Sequence, residues 1–143
     1  MLAKKVAKLI NDQVTLEFYS AYLYLDFANY YIDEGLDGFA HWFEIQAQEE
    51  RDHAMLMRTY LQNNDVRVVF GTIDKPDQEY KDLKAPLKAA VERLTDLTRS
   101  SRAVWMKNQS DLTESFPKKK KRMWAICLRN LNSLAMTRRD SMH

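Results

Sequence analysis

The chain has 143 residues, 22 lysines and arginines against 20 aspartates and glutamates, and a formal net charge of +2. That length suits one domain, residues 1–143, with a core that needs no disulfide, and the single cysteine, Cys127, has no intramolecular partner, which fits a reducing cytoplasm. Three glycines and three prolines leave helices to dominate, and Lys4, Lys5 and Lys8 break the opening stretch too often for a signal peptide or a membrane span.

A first helix is predicted from about Ala3 to Ile32. Its apolar seam runs Val6, Ile10, Gln13, Glu17, Ser20, Tyr24, Phe27, Tyr31, in alternating steps of four and three. The stretch Asp33-Glu34-Gly35-Leu36-Asp37-Gly38 then reads as a helix C-cap, a tight turn and a new N-terminus capped by Asp37. The second helix is predicted from about Gly38 to Asn63, with a seam at Phe39, Phe43, Gln46, Glu50, His53, Met57 and Tyr60. So short a loop makes the two helices antiparallel, and Glu17 lies about as far from the turn as His53.

Glu50 and His53, three residues apart on a helix of about 3.6 residues per turn, share one face, and that face should be buried. Burying a carboxylate without a partner costs several kcal/mol in order of magnitude, so a bound cation is a reason for its presence; two boundary polar residues bonded to each other are the plainer one. A Glu-x-x-His pair opposite a Glu of a neighbouring helix is the ligand pattern of di-iron carboxylate bundles.

Residues 64–80 carry β-branched side chains, Gly71 and Pro76 but no helical period, and are too many for a hairpin. They read as a crossover, which makes the third helix parallel to the second. That helix should start near Asp82 with a seam at Leu83, Leu87, Ala90, Leu94, Leu97, Ser101 and Val104. A turn at Asn108–Asp111, an interruption at Pro117, the run Lys118–Arg122 and a weak stripe at Trp124, Cys127 or Leu128, Leu131 and Leu134 end the chain in a shortened fourth helix. The expected fold is all-α, a ferritin-like four-helix bundle with one long crossover between helices two and three.

Through about Ala90 the residues Asn11-Asp12-Gln13, Leu16-Glu17-Phe18-Tyr19-Ser20, Gly35-Leu36-Asp37-Gly38-Phe39 and Gln48-Glu49-Glu50-Arg51-Asp52-His53 resemble those of a prokaryotic non-haem ferritin. The resemblance implies iron storage: oxidation of Fe(II) by O2 or peroxide at a di-iron ferroxidase centre and deposition of ferric mineral in a cytoplasmic homo-oligomeric shell, generally of twenty-four subunits. It assigns the first iron to Glu17, Glu50 and His53, places Tyr24 beside the centre, and matches Glu49 to an accessory third site. On the third helix the family has a His-Glu pair where this chain reads Val91-Glu92-Arg93-Leu94. An ungapped alignment puts Leu94 on the ligand position; a two-residue gap puts Glu92 there.

The last helix departs further, with Lys118–Lys121 where the family is rich in Glu. Ammonium groups do not ligate iron, which supports an alternative function, an iron-binding or shell-forming bundle without ferroxidase turnover. Repeated GAA codons read one nucleotide later give lysine, so a frame shift after Phe116 accounts for the run. The basic stretch is otherwise read as solvated charge rather than a nucleic-acid element. Tyr30, Leu36, Trp42 and Phe43 exceed what the bundle interior should hold, so part of that surface is expected to meet a neighbouring subunit.

Overall fold

The computed structural model describes residues 2–105, with side chains through Arg93 and at Thr95 and Asp96. Three helices occupy most of it: α1 (Lys4–Asp33), α2 (Asp37–Asn63) and α3 (Ala85–Trp105). No strand occurs among the described residues. The fourth helix, the lysine run and the frame-shift reading fall outside them.

The α1–α2 corner is built by backbone chemistry. Gly35, at φ 69°, donates to Ile32 O, and Leu36 N donates to Tyr31 O at 2.8 Å, so two carbonyls of the last turn are satisfied in a Schellman motif. Only a residue tolerant of positive φ fits there, which is why Gly35 ends the helix. The expectation of Asp37 as N-cap is corrected: Leu36 takes that place, its carbonyl accepting from Phe39 N and Ala40 N, and Asp37 is the first helical residue. Its carboxylate adds negative charge to the positive end of the helix dipole. α2 closes the same way, with Val66 N on Leu61 O and Asp65, not a glycine, at φ 58°.

All eight predicted seam residues of α1 are buried. On α2 the buried set is Ala40, Phe43, Gln46, Ala47, Glu50, Ala54 and Leu61, so the predicted seam holds at its centre and drifts at both ends: Phe39 is only partly buried, and Tyr60 is 44% exposed while Leu61 is inside. A strict four-three alternation averages 3.5 residues per turn and slips by about 20° per heptad against a straight helix. That slip runs in the sense that favours Leu61 over Tyr60 at the C-terminal end of α2.

The core divides in two along the helix pair. Near the corner, Tyr24, Phe27, Tyr31 and Phe43 form an aromatic cluster closed by Leu87 and Ala90 of α3. Tyr30, Leu36 and Trp42 pack against it and stay only partly buried, while Phe43 is fully buried. Toward the other end, Val6, Ala7, Ile10, Val14, Ala54 and Leu61 make a second, aliphatic cluster.

The crossover, residues 64–84, runs along α1 toward the corner. Asn11 pairs with Val69 through both its amide nitrogen and its oxygen at 2.8 Å, Gly71 N donates to Thr15 Oγ1 at 3.0 Å, the Tyr80 hydroxyl donates to Asp26, and the Tyr31 hydroxyl donates to Leu83 O at 2.6 Å. These anchors climb α1 from residue 11 to residue 31 and deliver the chain to the corner. α3 therefore starts there and descends, antiparallel to α1 and parallel to α2, as expected. It begins at Ala85 rather than Asp82, because Asp82 spends its carbonyl and carboxylate on Ala85 N and Lys84 N and caps the turn ahead of the helix.

Candidate metal centre

Between the two apolar clusters lies a belt of buried polar side chains: Gln13, Glu17 and Ser20 from α1, Gln46 and Glu50 from α2. Each carboxylate has a glutamine one turn before it on the same face, Gln13 before Glu17 and Gln46 before Glu50. The antiparallel pairing puts the midpoints of the helices at one level, and ligand atoms of Glu17, Glu50 and His53 come within 4.8 Å of one another.

His53 Nδ1 lies 3.2 Å from Glu50 Oε2 and 3.8 Å from Glu17 Oε2. Gln13 Nε2 donates to Glu17 Oε1 at 2.7 Å and fixes that carboxylate, whose other oxygen, Oε2, is buried with no hydrogen-bond partner among the described residues. Gln46 Oε1 is in the same condition. The side chains of Glu50 and Glu17 are 1% and 7% exposed and that of His53 is 17% exposed, so the histidine side is where the group meets solvent.

The Tyr24 hydroxyl is buried close by. Burial first, and then the Glu17 charge, push its proton affinity far above the ordinary phenol range, while the Arg93 charge pulls the other way. Tyr24 is therefore a neutral phenol throughout the physiological range.

Two carboxylates and an imidazole are the donor set of a divalent first-row metal, hard oxygens with one borderline nitrogen. The residues fit an ion on three counts. Two carboxylates are buried side by side against one imidazole, the Glu17 Oε2 oxygen has no hydrogen-bond donor among the described residues, and three protein ligands leave coordination positions open on the solvent side.

The structure brings together Glu17, Glu50 and His53, with Tyr24 buried two turns along α1 from Glu17. It does not bring the other two predicted residues to them. Glu49 is half-buried on the flank of α2, outside the group, and Glu92 is exposed on α3. The α3 side chain at the level of the centre belongs to the next residue: Arg93 donates from Nε to Ser20 Oγ and from Nη2 to Leu16 O, both at 3.0 Å, and its guanidinium lies 4.8 Å from the centre of the Tyr19 ring. Sequence reasoning passed over Gln13, Gln46 and Arg93. The signal for the glutamines was their place on seams otherwise apolar; for Arg93 the sequence offers no signal, since only the rotation of α3 turns it inward.

Comparison with known proteins fits this geometry. A Ferritin-like domain model matches residues 7–107. A probable bacterial non-heme ferritin-like protein of Haemophilus influenzae is 38% identical over 92 residues, 64% of this chain and 56% of its own. A bacterial non-heme ferritin of Campylobacter jejuni is 35% identical over 100 residues, 70% and 60% of the two chains. This chain thus spans little more than half the length of such relatives. Among solved structures, an open-pore ferritin from Archaeoglobus fulgidus superposes with a TM-score of 0.71 at 26% identity, covering 96% of this chain and 86% of that one. A humanized archaeal ferritin gives 0.73 at 28%, covering 94% and 83%.

Proposed function

The chain belongs to the ferritin-like family, and from that premise we propose that it stores iron: it takes Fe(II) at Glu17, Glu50 and His53, passes the electrons to O2 or peroxide, and releases ferric iron to a mineral held by a cytoplasmic homo-oligomeric shell. The observation that carries this reading is the buried Glu17–Glu50–His53 group, whose ligand atoms lie within 4.8 Å across two helices.

Iron is the substrate, and the chain's contribution is to bind, orient and neutralise. Glu17, held by Gln13, and Glu50 supply anionic oxygens that favour the ferric over the ferrous charge, so electron loss is easier in the group than in water. His53, at the solvent-facing side, is placed to meet the incoming ion. Tyr24 remains a protonated phenol and adds no third anionic group to Glu17 and Glu50. Each Fe(II) oxidised yields one electron; two such electrons and two protons reduce O2 to hydrogen peroxide, and two further electrons with two further protons reduce peroxide to two molecules of water.

A second reading, iron binding without turnover, is favoured by one observation: α3 presents Arg93 rather than a carboxylate at the level of the centre. O2 uptake on anaerobic loading with Fe(II) followed by air separates the two. Uptake in proportion to iron, lost in Glu50→Gln, supports the ferroxidase; iron bound with no uptake beyond that of free Fe(II) supports the binding protein. Crystals soaked in iron, with no anomalous signal between Glu17 and His53 while both side chains are ordered, would refute both.

A further inference from the structure

We propose that Gln13 is the positioning residue of the centre: by holding Oε1 of Glu17 it commits that carboxylate to binding the cation through Oε2 alone, on the side of His53. The inference rests on Glu17, Glu50 and His53 being the iron-binding group and concerns how Glu17 enters it.

Gln13 lies on the buried seam of α1, 4% exposed, between Ile10 and Glu17. An apolar side chain would pack there without losing any hydration, whereas a buried carboxamide needs a partner. It has one in Glu17, to whose Oε1 its Nε2 donates at 2.7 Å across one helical turn. Charge fixes the direction of this bond. Only the nitrogen end of an amide can face a carboxylate, because its carbonyl end would set two acceptors against each other.

The bond makes two otherwise equivalent oxygens different. Oε1 has its electron density directed at an N–H, whose positive end a cation would have to displace. Oε2 has no hydrogen-bond partner among the described residues, and it is the oxygen that lies 3.8 Å from His53 Nδ1. That nitrogen is in turn 3.2 Å from Glu50 Oε2. An ion shared by the three side chains therefore meets Glu17 at Oε2.

This arrangement serves the proposed chemistry in two ways. Ordering a flexible glutamate on metal capture costs conformational entropy, and Gln13 imposes that order before the ion arrives. A carboxylate bound through one oxygen also leaves more coordination positions open than a chelating one, which suits an ion that has to meet an oxidant.

Crystals of the full chain loaded with Zn(II) test the ligation directly. The expected structure has Glu17 on the ion through the oxygen away from Gln13, with Gln13 Nε2 still bonded to the other. Both oxygens on the ion, or the Gln13-bonded oxygen alone, overturns the proposal. An ion missing from the group while its side chains are ordered overturns the iron-binding reading instead. Gln13→Met keeps the length and helix propensity of the side chain and removes the donor. Urea unfolding should show a retained metal-free fold, Zn(II) affinity should fall by about 10–100-fold, and Glu17 should turn to bind through both oxygens. Unchanged affinity overturns the positioning role. So does a loss of affinity with Glu17 still bound through one oxygen, since a purely structural glutamine would leave the ligation as it was. Should the variant not fold, the crystals of the unaltered chain decide.

Discussion

Phe27 and Glu50 stand at the same depth of one helix pair, 0% and 1% exposed, and they are buried for opposite reasons. Phe27 belongs to the aromatic cluster, where it meets Phe43 edge-on at 5.2 Å and Tyr80 at 5.5 Å, so every contact it makes stabilises the fold. Glu50 belongs to the polar belt, where desolvation of a carboxylate opposes folding and the contact with His53 at 3.2 Å offsets part of it. Burial alone therefore does not distinguish a core from a site; the sign of the energy does. The aromatic half of the interface holds the helices together so that the belt can remain costly and metal-ready.

The largest expected effect breaks the aromatic half. Phe27→Ala should destabilise the chain by about 3–5 kcal/mol, since it removes a fully buried ring and leaves a cavity. Urea unfolding at fixed protein concentration, with and without Zn(II), should show the same loss in both conditions. A loss that appears only with metal would erase the distinction between the two regions.

Next is the belt itself. Glu50→Gln keeps the shape and removes the charge, so the metal-free variant should be at least as stable as the unaltered chain. Zn(II) at about a hundred times its dissociation constant should stabilise the unaltered chain by about 2.7 kcal/mol and leave the variant unmoved. Thermal unfolding with Zn(II) measures both arms. Metal stabilisation of equal size in the variant would remove Glu50 from the centre.

Tyr24 joins the two regions, its ring in the aromatic cluster and its hydroxyl toward the belt. Its folded pKa is raised, first by burial and then by Glu17, so its contribution is intact below the ordinary phenol pKa and is lost as pH climbs through the alkaline range toward the folded value. Stability should fall by about 1.4 kcal/mol for each pH unit above roughly 10 on this account alone. Tyr24→Phe should flatten that slope by one proton's worth, read from unfolding midpoints between neutral and alkaline pH. An identical slope in the variant would show that the hydroxyl is not held protonated.

The smallest effect lies outside both regions and calibrates them. Asp65 closes α2 at φ 58°, where glycine is favoured over any side chain, and Asp65→Gly should stabilise by about 0.5–1 kcal/mol. Because this term is local backbone strain, it should add unchanged to Phe27→Ala and to Glu50→Gln. Unequal increments in the two backgrounds would mean that the end of α2 communicates with one region and not the other.

The sequence by itself determined the helices of the first two-thirds, the position of the corner, the crossover and the convergence of Glu17 with Glu50 and His53. Each follows from a local cause: a 3.6-residue repeat, the one conformation that Gly35 permits, and equal distances from a shared turn. The tertiary structure decided the phase of each helix against its neighbours, that is, whether Tyr60 or Leu61 ends the α2 seam and whether Glu92, Arg93 or neither turns inward from α3. A helical repeat fixes the spacing of a stripe, whereas successive residues differ by about 100° around the axis, so the residue that faces a partner is set by the partner's surface. For α3 that surface is the carbonyl of Leu16, the hydroxyl of Ser20 and the ring of Tyr19, and together they select the guanidinium of Arg93.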